Sequence, residues 1–309
     1  MPPHSRLVAF GRWFYGQPYL LLLFTTLFWG GNVVAGKLAA GEVSPMAITF
    51  LRWFISCAAL AMFARRAVLS EWRVLAPRWL YIVLMAGVGF TTFNALFYEA
   101  ATRTTGVNMA IIQGSTPIFV LLGALAFGVR FGLLQMLGVL ATIAGVALTA
   151  SRGDVEVLKT IAFNRGDAWL LIASILYAGY TLALRWKPKT SSLVFFTAMA
   201  VAACVTSLPL LVLEGLRGDL QWPTLKGWLV LLYVALLPSL LCQIFYIRAI
   251  ELIGPGRAGA FYNLVPVFGA LLSTLILPEP FAAYHVAALA LVLGGIALAN
   301  WKGSSKAAP

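Results

Sequence analysis

Arg52 is the charge set deepest in an apolar stretch of this chain, about seven residues beyond Pro45, or roughly 10 Å along a helix. Thr49, Arg52 and Ser56 recur at helical spacing, so the guanidinium shares a face with two hydroxyls. Two roles are open to it: gating or binding a polar solute, or acting as a strut that pairs with a carbonyl or snorkels to the interface. Glu99, at the outer end of another apolar stretch, is the candidate partner nearest in depth.

Around these charges run stripes of amides, hydroxyls and rings. Thr25, Trp29, Asn32 and Gly36 fall at i, i+4, i+7 and i+11, and Ser174, Tyr177, Thr181 and Arg185 repeat that spacing with Tyr180 beside them. Thr91, Asn94 and Tyr98 have their counterpart in Ser239, Gln243 and Tyr246. Gln113 precedes Thr116 and Pro117, and Tyr262 and Asn263 precede Pro266; the two prolines are expected helix bends. Taken singly, each polar residue has a plainer reading as interhelical glue or an interfacial ring. Recurrence at matched positions favours a shared cavity lined by Trp29, Asn32, Asn94, Tyr98, Gln113, Tyr177, Tyr180, Gln243, Tyr246 and Asn263, with Arg52 and Glu99 as gating or charge-bearing groups. Such a lining suits a neutral or zwitterionic solute. A phosphorylated one would ask for several converging Arg or Lys, and only Arg52 and Lys37 are at hand.

The elements that must position these groups are membrane helices. Hydrophobic residues make up 61% of the chain and charged residues only 10%, against about 25% charged in a soluble domain. The apolar material falls into ten runs, about 18–39, 45–64, 79–100, 107–128, 132–150, 168–186, 191–213, 227–250, 257–277 and 281–301, each near the length that crosses a bilayer. Backbone groups in lipid must be paired within the segment, so the runs are helices and the fold class is all-α integral membrane. Lys and Arg crowd one set of loops (Arg65, Arg66, Arg73, Arg78, Arg130, Lys187, Lys189) while most acids lie on the other side, Asp167 among them. By the positive-inside rule both termini are expected in the cytoplasm. The net charge of +12 is therefore an orientation signal and not a nucleic-acid footprint.

The runs form one unit written twice. FYEAATRTTGVNMAIIQGSTPIFVLLGAL from Phe97 matches FYIRAIELIGPGRAGAFYNLVPVFGALL from Phe245, 148 positions on, and AGVAL at Ala144 to Leu148 matches GGIAL at Gly294 to Leu298. Five spans per unit is an odd number, so the second copy is expected upside down, with a site between the halves as in secondary transporters. The expected organisation is a cytoplasmic segment 1–17, a first five-helix repeat 18–150, an extracytoplasmic linker 151–167, a second repeat 168–301 and a cytoplasmic tail 302–309. Ala141/Gly145 and Ala290/Gly294 mark a packing seam or dimer contact on the fifth and tenth spans, leaving monomer and homodimer both open. Glu279 and Pro280 suit the start of the tenth helix. Cys57, Cys204 and Cys242 stand singly, without metal or redox spacing, and no P-loop occurs. No cofactor and no metal are expected. An integral-membrane enzyme would need clustered acids or histidines at a membrane face, and the sequence offers none.

The FY-A...G pattern, the proline of the fourth and ninth spans and the terminal Gly-x-Ala-Leu resemble the EamA-type ten-helix exporters of the drug/metabolite transporter superfamily, over roughly 18–301. The chain looks most like their bacterial amino-acid exporters, including the aromatic type. The resemblance implies a basket of two inverted units, a central cavity, alternating access without ATP and a bacterial inner-membrane location, with neutral, including aromatic, amino acids as substrates or, alternatively, other small metabolites or drugs. Gly128-Val129-Arg130 departs from the Gly-Glu usual in that family between the fourth and fifth spans. Small four-helix relatives use a membrane-embedded Glu in their first helix; neither the first nor the sixth span here is expected to hold an acid.

Overall fold

The computed structural model describes residues 11–128, 132–154, 164–253, 258 and 261–299. The first ten residues, Val129-Arg130, most of the 151–167 connection and the 302–309 tail lie outside the described residues. The described chain is all-helical. Its apolar helices are α1 (Pro18–Ala39), α2 (Pro45–Phe63), α3 (Arg65–Ala101), α4 (Gly106–Phe127), α5 (Leu133–Ala150), α6 (Arg165–Trp186), α7 (Ser192–Leu216), α8 (Leu225–Ile253), α9 (Phe261–Ile276) and α10 (Ala283–Ala299). Seven are long and apolar enough to cross a membrane, and α5, α9 and α10 are shorter apolar helices. They fall on the ten runs read from hydropathy.

Several starts have a local cause. Pro45 follows Ser44, and the hydroxyls of Thr105, Ser191 and Thr224 accept from backbone N–H groups two or three residues into the helices that follow. The helix α3 runs further back than its apolar run. An amphipathic turn sequence, Arg65–Leu75, leads through a 3₁₀ turn into the span, because charged residues lower the local hydropathy without breaking the helix.

Neighbours pair as α5 with α10, α2 with α7, α4 with α9, α1 with α8 and α9, and α6 with α3 and α4. At Gly30 a Cβ would stand 2.7 Å from that of Phe268, so α1 and α9 approach as closely as only glycine allows. The α5–α10 seam is real, but α10 presents Ala288, Val292 and Gly295, with Gly295 against Thr142 and Gly138. Gly294 meets nothing there, so the small-residue pair expected on α10 is off by one.

Two other expectations are corrected. Asn164 caps α6, its Oδ1 accepting from Gly166 N at 2.7 Å, so Asp167 lies in the first turn of that helix and not in the linker. It is 0% exposed and accepts from the Thr104 hydroxyl, which places an acid in the sixth helix after all. A carboxylate in a first turn is favoured by the helix dipole, a signal that hydropathy windows discard. Glu279 and Pro280 precede α10 by several residues and do not start it. The Glu279 carboxylate accepts instead from Gly106 N, at 2.7 Å, in the first turn of α4.

Candidate functional site

Two of the helices carry the same backbone irregularity. In α3, Gly87–Thr92 is π-helical, and in α8, Ala235–Leu241 is too, so the segments sit 148 positions apart. Such widened turns recur at functional sites because they free carbonyls and rotate the following residues. At Gly89 the missing side chain makes room for the Tyr180 ring, which a Cβ would strike. In the second segment Pro238 leaves carbonyls without their usual donors. The indole Nε1 of Trp29 donates to the Pro238 carbonyl at 3.0 Å, and Ser239 turns inward to meet Arg52.

Arg52 is 5% exposed and makes four hydrogen bonds. Its Nη1 donates to Asn94 Oδ1 and to the Tyr98 hydroxyl, both at 2.7 Å. Its Nε and Nη2 both donate to Ser239 Oγ, at 3.0 and 2.6 Å, and that hydroxyl donates to Val234 O at 2.7 Å. Every one of these acceptors is neutral. Glu99 does not pair with Arg52: Tyr98 faces the guanidinium, and the next residue on an α-helix points about 100° away. Glu99 remains half-buried and lines neither cavity described next.

A chamber of about 80 Å³ opens where seven helices meet. Trp29 and Asn32 of α1, Arg52 and Trp53 of α2, Phe90, Phe93 and Asn94 of α3, Gln113 of α4, Tyr177 of α6, Ser239 and Gln243 of α8 and Tyr262 of α9 line it. Trp53 stacks on Phe90 with centroids 4.6 Å apart and closes one wall. A wider chamber of about 480 Å³ adjoins it, sharing Trp29, Tyr177, Gln243 and Tyr262 and adding Pro117, Leu121, Tyr180, Leu184 and Tyr246. Trp29 lies 5.4 Å from Tyr246 and 5.7 Å from Tyr262, centroid to centroid, so rings form the partition. The narrow chamber is the more polar of the two, with amides, a hydroxyl and a guanidinium set among its rings, and the wide one is mainly aromatic and aliphatic.

The expected lining is thus brought together with two exceptions. Tyr98 is buried behind Arg52 and touches the chamber only through it. Asn263 lines neither chamber; a 3₁₀ turn at Phe261–Asn263 rotates the chain about 120° per residue, and Tyr262 faces inward in its place. The break near Pro117 falls at Ser115, where Thr116 Oγ1 caps the Gln113 carbonyl at 2.7 Å. Pro266 sits in the first turn of the α-helical part of α9, against Gly114. Reading by residue type passed over Trp53, Phe90 and Phe93, which pass for core; the available signal was that Trp53 adjoins Arg52, Phe93 adjoins Asn94 and Phe90 stands one turn before Asn94.

Lys37 lies away from both chambers. Its Nζ donates to the Ala101 and Thr104 carbonyls at 3.0 and 2.7 Å and stands 3.9 Å from Glu279. At the same end of the bundle the Glu214 carboxylate accepts from Ser44 Oγ at 2.6 Å and from the backbone N–H groups of Met46 and Ala47 at 3.2 Å, holding the start of α2.

Helices from both halves of the chain around two adjoining chambers are the architecture of a solute carrier. The EamA-like transporter family matches residues 17–151 and again 164–301. The chain belongs to the EamA-like transporter family. It is similar to YyaM of Bacillus subtilis, an uncharacterized transporter, at 26% identity over 91% of this chain and 93% of that one. Similarity to the inner membrane transporter YedA of Escherichia coli is 23%, covering 90% of each chain. A chloroplastic WAT1-related protein of Arabidopsis thaliana is 25% identical over 92% of this chain and 69% of its own. A crystal structure superposes with a TM-score of 0.62 at 22% identity, over 92% of this chain and 96% of that one, and so shares the fold. As a member of the EamA-like family, the chain is a multi-pass membrane transporter of small molecules.

Proposed function

We propose that the chain is a secondary exporter of neutral, including aromatic, amino acids and similar small metabolites, working by alternating access across the bacterial inner membrane without ATP. The observation that carries this reading is the paired chamber. A small compartment with amides and a guanidinium in its wall adjoins a larger compartment rich in tyrosines, a pairing that suits an amphipathic zwitterion. Two inverted five-helix repeats account for the double family match, for π segments 148 positions apart, and for a neighbour pattern that maps onto itself when each helix αn is exchanged with αn+5. With the N-terminus in the cytoplasm, the wide chamber lies in the inner half of the bundle, alongside the latter parts of α4 and α6. The contacts of Lys37, Glu279 and Glu214 then close the outer end. The described conformation is accordingly loaded from the cytoplasm.

Counterflow of radiolabelled phenylalanine in purified proteoliposomes tests the reading. We expect saturable exchange without ATP, reduced at least about tenfold by Trp29→Ala and Tyr246→Ala at unchanged expression, since each ring buries a large apolar contact. Wild-type exchange of another metabolite class with no neutral amino acid moved would sink the substrate assignment. Full exchange by both variants would remove the chambers from the path.

A further inference from the structure

Arg52 carries a permanent charge into the bundle, and among the described residues no carboxylate lies within ion-pair range of it. A guanidinium cannot shed its proton, so burial leaves it short of an anion. Its Nε–Nη2 edge is the one that grips both oxygens of a carboxylate, and here that edge converges on a single hydroxyl oxygen, Ser239 Oγ. In the same chamber Asn32, 9% exposed, has its Oδ1 buried without a donor. A cation without a counter-ion among the described residues and an acceptor without a donor thus line one compartment. At about 80 Å³ it has room for a few waters or a small head group at about 30 Å³ per water, and none for an aromatic side chain.

We propose, building on the amino-acid reading above, that the narrow chamber is a zwitterion head-group site. The substrate carboxylate takes the Nε–Nη2 edge of Arg52 in place of the Ser239 hydroxyl, and its ammonium donates to Asn32 Oδ1. The side chain stays beyond the Trp29–Tyr262 partition in the wide chamber. Arg52 thereby selects for a carboxylate, Asn32 for an amine beside it, and the tyrosines accept a range of side chains. A permanent organic cation lacking a carboxylate is repelled.

The test measures binding to purified wild-type protein in nanodiscs with four probes of one side chain: phenylalanine, phenylalaninamide, phenethylamine and hydrocinnamate. We expect phenylalanine to bind at least about tenfold tighter than the amide and the amine, with hydrocinnamate between, because a bidentate charged contact is lost in the first two. Arg52→Gln should abolish the preference for acid over amide. Arg52→Lys should keep part of it, having charge without the fork. Asn32→Leu should weaken phenylalanine and leave hydrocinnamate unchanged, an outcome that a purely structural role would not give. Equal affinity of wild type for phenylalanine and its amide overturns the head-group site while leaving the amino-acid reading standing. Absence of binding by all four probes overturns both. The wild-type series alone decides the matter if a variant fails to fold.

Discussion

Lys37 and Arg52 are both cations on apolar helices, and the fold treats them in opposite ways. Lys37, at the end of α1, meets two carbonyls and the Glu279 carboxylate, and that carboxylate also caps α4. Arg52, in the middle of α2, meets only an amide, a phenol and a hydroxyl. The first arrangement is self-contained and acts as a clasp joining α1, the end of α3 and the loop before α10. The second leaves a charge for something else to complete. Burial of a cation is thus no guide to function by itself; the identity of its acceptors is.

The comparison is broken most severely by giving Arg52 what Lys37 already has. Ser239→Asp places a fixed carboxylate on the Nε–Nη2 edge, and transport should fall by about a hundredfold or more while thermal stability in detergent holds or rises, as a buried ion gains its partner. Unchanged transport in that variant would mean that Arg52 is a strut. A smaller effect is expected from the clasp. Glu279→Gln keeps an acceptor for Gly106 N but removes the charge facing a Lys37 that is 22% exposed, costing about 1 kcal/mol or less, read as a melting temperature lower by a few degrees. Its transport should survive with altered kinetics, since the outer end opens more readily; loss of all transport would place Glu279 in the solute path.

The smallest effect belongs to a third pair at the same end, between an exposed Lys226 and a half-buried Glu42. Glu42 accepts from the Thr224 hydroxyl and stands 3.2 Å from Lys226 Nζ. The Thr224 hydroxyl first, then Lys226, hold its carboxyl below the usual carboxylate range. A lowered folded-state value means that the contribution is present above the ordinary carboxylate range and fades as pH falls through the folded value. Glu42→Gln should therefore lower the melting temperature slightly at neutral pH and not at all in acid; a larger effect in acid would reverse the sign of the argument.

Several features of the chamber were legible in the residues. The stripe Trp29–Asn32 and its counterparts Asn94, Gln113, Tyr177 and Gln243 could be placed because helical periodicity is local, and because an amide in a membrane helix is costly unless it faces protein. Asn263 and Glu99 were misplaced for the same geometric cause, a rotation of one residue. For Asn263 a 3₁₀ turn supplied it, and for Glu99 the ordinary 100° step from Tyr98 did. Asp167 was assigned to a loop because its charge ended the hydropathy run, although Asn164 and the acid together spell a helix start.

The sequence by itself determined that this is an all-helical membrane protein of the EamA-like family and which faces of its helices are polar, since hydropathy, capping and the 3.6-residue period act over one or two turns. It also carried the likeness of its two halves. Tertiary structure alone decided which polar faces share a chamber, that a ring partition splits it in two, and that Glu279 went to Lys37 and Gly106 while Arg52 met no acid among the described residues. Pairing of charges depends on distances between helices remote in the chain, and a few degrees of rotation at a π segment or a 3₁₀ turn determine which side chain arrives.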